Sequence, residues 1–180
     1  HSINNPGGEL RGQFVPAEAS AVFRANLSGN HAVPVHASEA AGTAMAEIYG
    51  DTLMIVSGTF GNLESPIETI GNRPGLFAGL AGETGGFLLP ITTTLEDGGL
   101  NGEIEASNNV FLLGEAEKTE LYRRGLYLNL ATANQSESAL RGQLAPESQI
   151  FMHGFMSGTL AVPTSSSKGY GNLLVELNEN

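Results

Sequence analysis

The sequence predicts an all-β fold, a small antiparallel β-sandwich or partly closed Greek-key barrel with one short helix, and three observations carry that prediction. Glycine supplies 24 of the 180 residues, with 41% apolar and 7% aromatic residues and no Trp, a profile of many short strands joined by tight turns. Several short runs alternate apolar and polar residues with period two. One stretch, LLGEAEKTELYRRG at 112–125, is rich in Glu, Ala, Lys and Leu and reads as a helix of two or three turns.

The elements follow in order. In SAVFRANLSG (20–29), Phe23, Ala25 and Leu27 share one face and Val22, Arg24 and Asn26 the other, as in a half-buried strand. GTAMAEIYGDTLMIVSGTF (42–60) holds two apolar runs around Gly50-Asp51 and reads as a hairpin. GGFLLPITTTL (85–95) is β-like, but Pro90 lacks an N–H and points to an edge strand or a bend. The helix at 112–125 has Arg123 and Arg124 in its last turn and Gly125 as its stop. RRGLYLNLAT (123–132) alternates Leu126, Leu128 and Leu130 against Tyr127 and Asn129, the clearest strand pattern in the chain.

Charge and composition exclude several roles. With 19 acidic against 8 basic residues, the net charge of −11 argues against nucleic acid and favours divalent cations or basic protein patches as partners. The absence of Cys excludes disulfides and thiolate metal sites. No run of 18 apolar residues suggests a membrane span, and the opening HSINNPGG is neither an initiating Met nor a signal sequence, so the chain is expected to begin partway into a longer protein.

Self-comparison gives the domain organisation. Leu10-Arg11-Gly12-Gln13 returns as Leu140-Arg141-Gly142-Gln143, displaced by 130. SGNHAVPVHASEAAGTAMAEI (28–48) aligns without gaps on SGTLAVPTSSSKGYGNLLVEL (157–177), displaced by 129, so that Ser28, Gly29 and Pro34 reappear as Ser157, Gly158 and Pro163. Two displacements that agree to one residue indicate an internal repeat. The expected order is a closing strand of a preceding repeat (1–15), a complete domain (16–146) and the opening strands of a following repeat (147–180). Leu10, Arg11, Gln13 and Phe14, together with Ser157, Gly158, Pro163 and Leu174, are then assembly strands whose apolar faces need another strand edge.

The motifs Phe23-x-Ala25-x-Leu27-Ser28-Gly29 with Val33-Pro34, then Gly79-x-Ala81-Gly82-x-x-Gly85, then Tyr127-x-Asn129 with Leu140 to Leu144, resemble the chordin (CHRD) domain family across the complete repeat. The resemblance implies an immunoglobulin-like or copper,zinc superoxide dismutase-like sandwich, occurrence as tandem copies in secreted proteins, and fold-motif roles for Ser28, Gly29, Pro34, Gly79, Gly82, Arg141, Gly142 and Gln143. The family commonly carries His-x-His before the Gly-x-Ala-Gly run and a His after the closing Asn. Here Gly75-Leu76-Phe77 and Ala131 stand there, which argues against a metal-redox role.

Remaining constellations are sparse. His31 and His36, with Glu39 nearby, lack a matched third ligand and read as exposed loop residues; His1 likewise has no placed partner. LEDGGLNGEIE (95–105) gathers Glu96, Asp97, Glu103 and Glu105 in a Gly-rich stretch and is the candidate for weak calcium binding; no other cofactor is expected. Asn26 and Asn134 head Asn-x-Ser sequons, candidate glycosylation sites in a secreted protein. No nucleophile elbow, phosphate loop or catalytic triad pattern is present, so no catalytic residue is assigned. The expected function is an extracellular, non-enzymatic structural module that associates with neighbouring repeats or identical chains into a fibre, matrix or adhesive. The alternative is a ligand-binding module for a secreted growth factor or matrix protein.

Overall fold

A computed structural model describes residues 17–69, 71, 73–147 and 149–178. The predicted closing strand with Leu10, Arg11, Gln13 and Phe14, and His1, lie outside the described residues. The strands are β1 (Ala21–Ser28), β2 (Ala41–Tyr49), β3 (Leu53–Gly61), β4 (Gly75–Ala78), β5 (Phe87–Pro90), β6 (Thr94–Glu96), β7 (Asn101–Ile104), β8 (Val110–Leu112), β9 (Leu126–Leu130), β10 (Leu140–Gln143), β11 (Ala145–Pro146), β12 (Gln149–Ser157) and β13 (Tyr170–Asn178), with helix α1 (Glu115–Tyr122). β1 to β11 form one strongly curled antiparallel sheet in the order β5-β4-β9-β10-β1-β2-β3-β7-β6, with β11 on β1 and β8 on β3. β12 and β13 form a separate two-stranded sheet.

The period-two pattern of β1 is realised side chain by side chain. Phe23, Ala25 and Leu27 are buried while Arg24 and Asn26 face outward. Inside the curl, Leu27, Ile48, Met54, Leu76, Leu128 and Leu140 are wholly buried, each stabilising the fold by about 2 kcal/mol. The hairpin around Gly50-Asp51 forms, with Tyr49 opposite Leu53, and Gly50 takes the left-handed backbone of its turn (φ 60°). β5 with Pro90 is an edge strand, where a missing N–H costs least.

Two expectations are corrected. The helix is shorter than 112–125, and its stop is Arg124, which adopts φ 63°. Arg124 N donates to Leu121 O at 3.0 Å and Gly125 N to Glu120 O at 2.6 Å, closing a Schellman turn with Arg in the left-handed position. β9 is buried on both faces instead of one, because Tyr127 and Asn129 are buried as well as the three leucines.

The hairpin β12–β13 repeats β1–β2 in geometry. Ala21↔Ile48 becomes Ile150↔Leu177 and Ser28↔Ala41 becomes Ser157↔Tyr170, the same displacement of 129 at both ends of the ladder. Each first strand leads into a short 3-10 turn, Gly29–His31 and Gly158–Leu160. Each turn is followed by a cis Val-Pro bond, Val33-Pro34 and Val162-Pro163.

Candidate functional site

The outer face of β9 and β10 is where the motif residues converge. Antiparallel pairing sets Asn129 opposite Arg141 and Tyr127 opposite Gln143, so all four project from one face while Leu128, Leu130, Leu140 and Gly142 belong to the other. The segment 79–86, between β4 and β5, folds over that face. Its cover explains the two-sided burial of β9.

Arg141 is the centre of the arrangement and only 3% exposed. Nη1 donates to Glu83 O at 2.6 Å and Nη2 to Leu80 O at 2.9 Å, so one rigid fork holds both ends of a tight turn. The guanidinium carbon lies 3.5 Å from the centroid of the Tyr127 ring, a cation–π contact in place of a carboxylate partner. Burial pushes the Arg141 pKa down from its usual value, with Tyr127 and Glu83 opposing the shift.

Its neighbours complete the clamp. Gln143 Nε2 donates to Gly79 O at 2.9 Å and to Arg124 O at 2.6 Å, joining segment 79–86 to the end of α1. Gly85 N donates to the Tyr127 hydroxyl at 3.1 Å, and Gly79 N to Gly125 O at 2.7 Å. Phe77 stacks on Tyr127 at 5.5 Å between centroids. The glycines are dictated here: a Cβ on Gly85 would collide with Ala78 O, and Gly82 has φ 82°, a conformation L side chains rarely adopt.

A second set of contacts fixes the opposite end of the same strands. Asn129 Nδ2 donates to Glu137 O at 2.9 Å, and His36 Nε2 to Ser138 O at 3.1 Å. His31 Nδ1 donates to Asn26 O at 3.0 Å. Both imidazoles are half-buried and engaged with backbone carbonyls, which corrects the expectation that they are exposed loop residues.

The calcium candidates are not brought together. Pairing of β6 with β7 places Glu96 opposite Asn101 and Glu103 opposite Thr94, so acids face amides and hydroxyls instead of one another. Glu105 accepts from Thr94 Oγ1 at 2.7 Å and from Asn108 Nδ2 at 3.0 Å, and Asp97 accepts from Asn101 Nδ2 at 2.5 Å. Among the described residues no group of three or more His, Asp or Glu is placed to hold a metal ion. Among the sequon residues, Asn26 is exposed in mid-β1 and Asn134 in the turn after β9.

A family model for the CHRD domain matches residues 23–144, from Phe23 in β1 to Leu144 just after β10. The chain belongs to the CHRD domain family. No curated relative and no solved structure matches it. The CHRD domain is an extracellular module type, and in this one the motif residues Gly79, Gly82, Arg141, Gly142 and Gln143 meet in or beside the clamp. Ser28, at the end of β1, pairs with Arg141 across the sheet, while Gly29 opens the turn that follows β1 and Pro34 lies beyond it. No helix of the described residues is long and apolar enough to cross a membrane.

Sequence reasoning missed the acceptors of the clamp. They are backbone carbonyls, of Leu80 and Glu83, and carry no side-chain signature; the spacing of Gly79, Gly82 and Gly85 was the available sign that backbone comes close there.

Beyond the CHRD match, the β12–β13 hairpin carries Ser157, Gly158, Pro163 and Leu174, the residues expected to form assembly strands, in β12, in the turn and in β13. Among its described residues, three positions equivalent to the core face of β1–β2 are exposed. Met152, Met156 and Leu173 are 48%, 51% and 48% exposed, where Phe23, Leu27 and Ala44 are 1%, 2% and 4% exposed.

Proposed function

We propose that this CHRD domain is a non-catalytic structural module of extracellular assemblies, and that it joins like modules through the hairpin at 149–178, the opening strand pair of a second unit. The carrying observation is that hairpin: it has the register of β1–β2 at a constant displacement, and Met152, Met156 and Leu173 are exposed where their counterparts in β1–β2 are buried. An isolated two-stranded hairpin is marginal in water and gains stability by packing its face against another sheet. Tandem repetition, in which terminal strands such as Leu10 to Phe14 complete neighbouring units, supplies that cover and builds toward a fibre or matrix.

The clamp around Arg141 supports the structural side of the reading. The guanidinium and the amide of Gln143 donate to backbone carbonyls of the protein's own loops, which suits a rigid building block.

The test is light scattering of the full chain across a wide concentration range, beside the variant Met152→Lys/Leu173→Lys. The parent chain is expected to form larger species as concentration rises. The variant is expected to stay monomeric with the domain's unfolding transition unmoved. A parent chain that is monomeric throughout overturns the reading.

A further inference from the structure

A row of polar residues crosses the outer face of the sheet, with Asn26, Thr43, Thr59, Glu103 and Thr94 opposite one another on β1, β2, β3, β7 and β6. Toward the Gly50 turn the pattern changes. Ile55 stands opposite Val110, and Leu53 stands between Tyr49 and Leu112. Residues opposite one another share a face, and the chain neighbours Met54 and Phe111 pack on the core, so these five side chains point outward. Leu112 is 79% and Val110 49% exposed. The solvated face of an antiparallel sheet is ordinarily polar, and a contiguous apolar patch there marks a contact surface.

Carboxylates border the patch. Glu47 stands opposite Ile55 and accepts a hydrogen bond from the Tyr49 hydroxyl at 3.4 Å, and Asp51 is exposed in the turn just before Leu53. Patch against patch would bring the carboxylates of two chains together, a repulsive arrangement. The β12–β13 hairpin meets no such conflict. Its one Lys168 and one Glu176 cancel, so the whole net charge of −11 lies outside it. It carries Met152, Met156 and Leu173 on one face, all of them exposed.

We propose that the outer face formed by Tyr49, Leu53, Ile55, Val110 and Leu112 receives the β12–β13 hairpin of a second copy of this chain, sheet face on sheet face. This rests on reading the hairpin as the element that joins modules. Both surfaces are exposed within one chain, so the contact that covers them is made between chains. The two surfaces also differ from each other. Each copy gives one hairpin and accepts another, and the contact either closes into a ring of two or more copies or grows as a filament. The neutral hairpin brings apolar area to an acidic surface without adding charge of the same sign.

Three variants of the full chain test the contact by light scattering and analytical ultracentrifugation. Met152→Lys/Leu173→Lys removes the hairpin face, Val110→Ser/Leu112→Ser removes the patch, and Leu95→Ser, exposed elsewhere on the sheet, is the control. Thermal unfolding checks that each is folded. The parent and the control are expected to associate alike, and each of the other two, alone, at least tenfold more weakly. Mixed in equal amounts, those two are expected to form 1:1 heterodimers and nothing larger, because one intact hairpin then meets one intact patch. A patch variant that associates as the parent does, a control as weak as the patch variant, or a mixture that stays monomeric or grows beyond dimers overturns this proposal and leaves the assembly reading standing. A parent that is monomeric throughout, or a hairpin variant that associates as the parent does, overturns both.

Discussion

The guanidinium of Arg141 lies 3.5 Å from the centre of the Tyr127 ring while its two outer nitrogens hold the carbonyls of Leu80 and Glu83. A buried cation is thereby neutralised by dipoles and a π face, and the loop that supplies the dipoles is fixed in return. The clamp depends on the planar fork of Arg as well as its charge.

Arg141→Ala is expected to destabilise the domain by about 2–4 kcal/mol, because the Leu80 and Glu83 carbonyls lose their charged donor and a buried side chain is removed. Arg141→Lys retains the charge but cannot span both acceptors, and is expected to recover less than half of that loss. Urea unfolding of the three proteins measures it. Equal stability of the Lys variant and the parent would show that charge alone suffices.

Gly85 and Gly82 are close in sequence but differ in what a side chain would meet. At Gly85 a Cβ runs into Ala78 O, so Gly85→Ala is expected to cost several kcal/mol, on the order of 3. At Gly82 there is open space and only the left-handed backbone resists, so Gly82→Ala is expected to cost about 1 kcal/mol. Thermal unfolding that ranks Gly82→Ala as the more damaging would reject this account.

Phe23 and Met152 occupy equivalent places in β1 and β12, one buried and one half exposed. Phe23→Ala is expected to lower domain stability by about 3–5 kcal/mol through the cavity it leaves. Met152→Ala is expected to leave the domain's transition in place and to weaken self-association. Calorimetry and light scattering on the same samples separate the two effects.

Millimolar calcium is expected to leave the melting temperature unchanged, since Glu96, Asp97, Glu103 and Glu105 face amides and hydroxyls and do not converge on one point. Differential scanning fluorimetry with and without calcium checks it. A rise that saturates with concentration would reveal a site by linkage.

The alternation of Phe23, Ala25 and Leu27, the turn at Gly50, the edge position of Pro90 and the repeated strand pair were legible in the sequence by itself. Each depends on neighbours a few residues apart, or on a pattern that occurs twice, and local sterics and period-two burial act at that range. Only the tertiary structure decided that β9 is buried on both faces, that Arg141 is satisfied by Leu80 and Glu83 carbonyls some sixty residues away, and that four apparently clustered acids stay apart. The reason is physical: backbone acceptors have no letter of their own, and strand register determines which side chains of a loop face each other.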